Sequence, residues 1–281
     1  MTLKILYLLH QFYPEYYTGT EKIFLQLATM MQKSGHKVKV MTYSSYQDSF
    51  YEQGLGDMVY KEFVYQGIPV LALRHKEIPA DRHYALKDNK LSRVARDFIS
   101  REKPDVVHVG HSMGMAEMVK VLYPLNIPYI VTLTDFFLIC PKYTLITSEN
   151  NLCCGPDKGK ACQSMCPELP GDFITNRLEI ARDILFEAEV VTSLSKFVAN
   201  ICKKEYPNLD IQTVSPGLRY SSLRANGTAY GMGEKSGFAM LGLLTLIKES
   251  MFSSMLLSRY VLTKHVLRSM VRGQTRPMLA N

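Results

Sequence analysis

The sequence predicts an α/β fold built on a doubly wound, mostly parallel sheet. Three observations carry this. Short apolar runs closed by polar and turn residues recur along the chain, the mark of strands buried on both faces. Segments with helical apolar spacing lie between them. The two types alternate regularly from Met1 to about Arg219, which is the pattern of βαβ units.

The elements come in order. Leu3 to Leu9 is a continuous apolar run broken only by Lys4 and reads as the first strand. After a loop from His10 to Gly19, apolar residues at Ile23, Phe24, Leu27, Met30 and Met31 predict a helix over Thr20 to Lys33, stopped by Gly35. Thr20 stands where a cap for that helix is expected. Lys37 to Tyr43 is the second strand and Ile68 to Leu73, after a glycine turn, the third. Leu91 to Glu102 reads as a helix ended by Lys103-Pro104, because the residue before proline disfavours helical backbone. The remaining strands are Asp105 to Val109, Pro128 to Leu133, Val190 to Thr192 and Ile211 to Val214. Helices are expected over Gly114 to Leu122, Ile174 to Glu189 and Lys196 to Glu205. The stretch between 140 and 172 shows little periodicity and is expected to be irregular. Long irregular loops inside compact domains are usually functional or stapled.

In a sheet of this kind ligands gather beyond the carboxyl ends of the strands. That rule singles out the loops His10 to Glu21, His108 to Gly114 and Thr134 to Pro141. The first places Gly19 between a strand and a helix, where backbone N–H groups can meet an anion. The three spaced glycines of a dinucleotide-binding turn are absent there, which disfavours a nicotinamide-dependent oxidoreductase.

Composition sets outer bounds. Thirty-three Lys and Arg against 26 Asp and Glu give a formal charge of +7, suited to nucleotide phosphates or an anionic membrane surface. No basic run with interleaved aromatics is present, so nucleic acid is not an expected partner. The start lacks the cleavage site of a secretory signal, and no run reaches the roughly 18 apolar residues of a spanning helix. A cytoplasmic protein is therefore expected, with peripheral membrane contact as its furthest excursion. Cys140, Cys153, Cys154, Cys162 and Cys166 cluster and Cys202 stands apart. They read as thiols or a local metal site rather than disulfides. Zinc suits tetrahedral sulfur, but no C-x-x-C pair is present, and no metal ligand is assigned.

Several fragments, taken in order, resemble one family. Ile5 to Leu9 leads into Pro14, Gly19, Thr20 and Glu21; Ser34 to Val40 reads Ser-Gly-His-Lys-Val-Lys-Val. Lys103 to His111 contains Pro-Asp-Val-Val-His-Val-Gly-His, and Pro128 to Phe136 contains Pro-Tyr-Ile-Val-Thr-Leu-Thr-Asp-Phe. Val191 to Phe197 completes the series. Together they resemble the amino-terminal domain of family-4 retaining glycosyltransferases, enzymes of two facing Rossmann-like domains (the GT-B arrangement).

The resemblance implies transfer of a hexosyl unit from a nucleotide-diphosphate sugar to a glycan or lipid-linked acceptor, as in cell-envelope polysaccharide assembly. It implies no cofactor, the nucleotide sugar being a substrate held mainly by the carboxy-terminal domain. Gly19, Thr20 and Glu21 inherit the phosphate side, although Thr18 stands where many members have a further glycine. His111 inherits a place lining the pocket. Thr134 stands where many members carry histidine, and Asp135 is the expected catalytic carboxylate, able to accept from an acceptor hydroxyl or face positive charge on the sugar ring. The alternative for Asp135 is a turn cap.

From 220 to 281 the pattern breaks. Gly237 to Thr245 resembles the first strand of a second domain, but the residues after Leu246 do not continue it. A shifted reading frame is one account; a basic amphipathic helix over Lys248 to Val271, touching a membrane or partner, is the other. Either way, a carboxy-terminal domain cut short is the expectation, and a non-catalytic acceptor-binding or partner-binding module is the competing one.

Overall fold

The computed structural model describes residues 2–216. The first compact unit is Met1–Thr213 and a second begins at Val214. The expected strand at Gly237 to Thr245 and the alternative helix from Lys248 lie outside the described residues.

The first unit is a mostly parallel sheet flanked by helices. In chain order its elements are β1 (Lys4–Leu9), α1 (Gly19–Lys33), β2 (Lys37–Tyr43), β3 (Gln53–Leu55), β4 (Met58–Tyr65), β5 (Ile68–His75) and α2 (Asn89–Glu102). Then come β6 (Val106–Val109), α3 (Ala116–Lys120), β7 (Tyr129–Leu133), α4 (Lys160–Met165), α5 (Gly171–Phe186), β8 (Val190–Ser193), α6 (Lys196–Glu205) and β9 (Ile211–Thr213). The strands lie in the order β3-β4-β5-β2-β1-β6-β7-β8-β9. All pairings from β5 to β9 are parallel, and β3-β4-β5 forms an antiparallel edge.

Each face of the sheet is covered, as buried parallel strands require. Leu6 and Leu8 of β1 and Val107 and Val109 of β6 join one core with Leu91, Val94 and Phe98 of α2 and Met118 of α3. Tyr7 and His108, one residue out of phase, point to the other face, where Phe24 of α1 stacks edge-on against both. Strand alternation thus assigns one set to each helix layer. Burying a side chain such as Phe24, which is fully enclosed, stabilises by about 1.5–3 kcal/mol.

Four expectations are corrected. First, β3 and β4 are strands that the apolar-run criterion passes over. On one face of β4, Met58 and Tyr60 are buried but Glu62 and Val64 are exposed, so the strand leaves the core along its length and offers no continuous apolar run. Its turn into β5 has two residues, Gln66 at φ 48° and Gly67 at φ 78°, matching the twist that two-residue hairpins need. Second, the 140–172 stretch is not wholly irregular, since it holds α4 and a bridge between Ile146 and Leu152. Third, α3 is shorter than expected because Gly114 lies at φ 65°, outside helical backbone. Fourth, Thr20 is not the cap of α1. The helix begins one residue earlier at Gly19, with Thr18 at the cap position.

Candidate functional site

β1, β6 and β7 are neighbours in the sheet, so the loops at their carboxyl ends share one edge. They bring together residues far apart in sequence. His111 Nε2 lies 2.9 Å from Asp135 Oδ2. His111 Nδ1 accepts from the Met113 N–H at 3.2 Å, so the ring proton belongs on Nε2, directed at the carboxylate. The other oxygen, Oδ1, accepts from the Phe137 N–H at 2.8 Å. Asp135 is therefore a turn cap and a partner of His111 at once.

The two differ in access. The His111 side chain is 3% exposed and that of Asp135 35%. His111 has both nitrogens committed and holds the carboxylate in place. Asp135 keeps a lone pair on each oxygen and is the member of the pair that can meet a ligand. Thr134 is half-buried, its hydroxyl donating to the Gly110 carbonyl at 3.3 Å.

Gly110 allows this arrangement to form. A Cβ there would lie 2.5 Å from Leu9 Cδ2 and from two ring carbons of Phe24, all fully buried. Only glycine lets β6 end beneath α1.

The residues expected on the phosphate side stand apart in character. Thr18 at the cap position makes no capping hydrogen bond; its hydroxyl donates instead to Glu21 Oε2 at 2.5 Å. The first N–H groups of α1 thus lack a side-chain acceptor, which leaves the positive end of the helix dipole open. A Cβ at Gly19 would meet nothing within 4 Å. Glu21 is fully buried, one oxygen on Thr18 and the other unpartnered. It supports the helix start from inside, where a negative charge suits the dipole.

Four further residues were not singled out from sequence. The His10 ring lies 4.0 Å from that of His111. Burial, and the neighbouring His111 and Arg82, push its pKa down to about 2, so it is a neutral imidazole. The Arg82 guanidinium lies over Tyr43 at 4.3 Å. The Phe137 ring lies 5.0 Å from His111 and 4.7 Å from the Arg177 guanidinium. Arg177 is 2% exposed; it donates to the Tyr84 carbonyl at 2.7 Å and to the Phe137 carbonyl. A signal for it exists in the sequence: one cation on the apolar stripe Ile174, Leu178, Ala181 and Leu185 of α5. Arg82 and His10 sit in loops and leave no periodic trace.

Cys140, Cys153, Cys162 and Cys166 line one small cavity beneath α4. All six cysteines are free thiols. Among the described residues, no three of His, Cys, Asp or Glu are arranged to hold a metal ion. No helix among them is long and apolar enough to cross a membrane.

Comparison with known proteins agrees with the fold. Sucrose-phosphate synthase from Thermosynechococcus elongatus superposes with a TM-score of 0.50 at 13% identity, over 77% of this chain and 49% of that one. The catalytic domain of starch synthase IV from Arabidopsis thaliana, bound to ADP and acarbose, gives 0.48 at 13% identity, over 79% and 53%. HepE from Anabaena, in complex with UDP, gives 0.45 at 12% identity, over 77% and 44%. The chain spans about half the length of these solved structures, and at such identity the likeness concerns the fold alone. Comparison with curated proteins returns no match. The model of Glycosyltransferase Family 4 matches residues 17–219, most of the chain and every strand-end loop described above except the start of the first. On that match, the chain belongs to Glycosyltransferase Family 4.

Proposed function

We propose that this chain supplies the acceptor side of a retaining glycosyltransferase that moves a hexosyl unit from a nucleotide-diphosphate sugar to a glycan or lipid-linked acceptor. The observation that carries the reading is the Asp135 carboxylate, held by His111 and partly exposed at the carboxyl edge. The same edge carries the open N-terminus of α1.

In this reading the N–H groups of Gly19 and Thr20 face the donor diphosphate. A helix N-terminus stabilises the charge that develops on the leaving phosphate without needing to reorganise. Gly19 has open space where a side chain would stand, which allows close approach. Asp135 accepts from the acceptor hydroxyl, or faces the positive charge of an oxocarbenium-like ring. His111 is a positioning residue: its Nε2–H fixes which carboxylate oxygen points outward. Thr134 lends its backbone and lacks the imidazole that many relatives place there. No cofactor takes part. The formal charge of +7 suits a cytoplasmic protein that meets a lipid-linked acceptor at an anionic membrane surface.

The test is a transfer assay with the full chain, a panel of nucleotide-diphosphate hexoses, and glycan and lipid-linked acceptors. The expected result is release of nucleoside diphosphate, a product with the donor's anomeric configuration, and a loss of at least about 100-fold in Asp135→Asn. Inverted product, or an Asp135→Asn variant as fast as the parent, overturns the reading. Acceptor binding without transfer would leave the chain a binding module.

A further inference from the structure

Between the segment after β5 and helix α5 the structure opens into a cavity of about 460 Å³. Its size is that of a small-molecule pocket. Leu86 and Phe173 give it apolar walls, Asn89 and Asn176 offer amides, and Lys87 and Arg177 supply cations. Flat apolar walls, amides and cations are the set that recognises a sugar ring bearing a negative group.

Arg177 is the anchoring observation. It is almost wholly buried, forms no salt bridge among the described residues, and its Nη1 has no hydrogen-bond partner. Its remaining donors go to two backbone carbonyls, which carry no charge. Burial pulls its pKa down to about 10, which leaves it charged at neutral pH. Asp135 acts on it through space but makes no ion pair with it, so the buried cation is only partly compensated, and an anion in direct contact offsets more of the burial cost.

The acids at the cavity do not serve. Asp88 is committed: Oδ1 accepts from the Lys90 and Leu91 N–H groups, and Oδ2 lies 2.8 Å from His75 Nε2. Asp81 also lines the cavity but is exposed and makes no ion pair with Arg177. Lys90 pairs with the exposed Glu77 at 3.0 Å. Lys87 is exposed and has no ionic partner among the described residues.

The geometry points to this cavity as a subsite for an anionic sugar unit of the acceptor, a hexuronate or a sugar phosphate, with the anion at Lys87 and Arg177. Phe137 touches residues of the cavity and of the carboxyl edge, its ring 4.7 Å from the Arg177 guanidinium and 5.0 Å from the His111 ring. The inference rests on the acceptor-side reading above and narrows its substrate class.

The test is calorimetric titration of the full chain, without nucleotide, using D-glucuronate, D-glucose 6-phosphate and D-glucose. At least one charged sugar is expected to bind 10-fold or more tightly than glucose, and which one does separates a carboxylate from a phosphate. Lys87→Glu, at an exposed position that folding tolerates, is expected to weaken that binding at least 10-fold. Equal affinity for glucose, no binding by any of the three, or indifference to Lys87→Glu overturns the subsite. Nucleotide-sugar titration of the unaltered chain reports separately on the broader reading, so the two can fail independently.

Discussion

Gly19 opens the helix that follows β1 and Gly110 follows β6, at the same edge of the sheet, but each is a glycine for an opposite reason. At Gly110 a single added carbon would lie 2.5 Å from buried Leu9 and Phe24. At Gly19 it would meet nothing. Gly110 is a packing residue: it lets β6 end under α1 and so sets the position of His111 and, through it, Asp135. Gly19 has no packing reason, and its helix start is uncapped by Thr18. Two glycines that look alike in a motif therefore separate into one that the core demands and one that stands free at the face proposed for phosphate.

Substitutions at these positions sharpen the contrast. Gly110→Ala is expected to have the largest effect, a loss of about 1–3 kcal/mol from overpacking against side chains with no room to move. Denaturant unfolding measures it; a midpoint equal to the parent's would show that the sheet edge can relax.

Acid unfolding comes next and compares His10, at the end of β1, with His108, inside β6. Both are held neutral by burial, at about 2 and about 4. A folded pKa below the unfolded value of about 6.5 means the stability is intact above pH 6.5. It falls as pH drops below that, by about 1.4 kcal/mol per unit for each group. From pH 6.5 to 4.5, His10→Gln should lose roughly 2–3 kcal/mol less than the parent. Parallel curves for the two proteins would place His10 in water.

Gly19→Ala should do the reverse of Gly110→Ala. Stability is expected to stay within about 0.5–1 kcal/mol of the parent and on the favourable side, since alanine suits a helix better. Affinity for a nucleoside diphosphate should fall about 10-fold, equal to roughly 1.4 kcal/mol. A variant that is less stable than the parent but binds the nucleoside diphosphate equally well would exchange the roles of the two glycines.

The smallest effect concerns the cysteines. Cys154 is exposed, whereas burial pushes the Cys162 and Cys202 thiols up to about 12. Thiol labelling of the native protein at pH 8 should modify Cys154 first and leave those two until unfolding. Equal rates at all six would contradict the packing beneath α4.

How much of this was legible in the sequence depends on the range of the interaction. β1, β2, β6 and β7 were legible because strands buried on both faces are nearly continuous apolar runs. β4 was not, because Lys61 and Glu62 interrupt its alternation at a solvent-facing edge. The start of α1 was read one residue late because Thr20 has the right side chain for a cap, but the Thr18 hydroxyl is the one drawn to Glu21. Strand-end position picks out the loops of His111 and Asp135, and the family resemblance picks out the two residues; their contact, across 24 residues, exists only once β6 and β7 pair. Arg177 has a visible signal, one charge on an apolar stripe, whereas its unpartnered Nη1 and its lack of a direct ion pair among the described residues are seen only in the packed structure.

In the proposed reading the carboxyl edge, with the open start of α1 and the held Asp135, is the ligand face. Backbone amide NMR of the full chain during addition of a nucleoside diphosphate, and then of its hexose conjugate, tests it most directly. The diphosphate is expected to shift the amides of Gly19 and Thr20, and the conjugate to add shifts at Thr134 and Asp135. Shifts confined to the opposite edge of the sheet, or none at these four residues with saturating ligand, would contradict it.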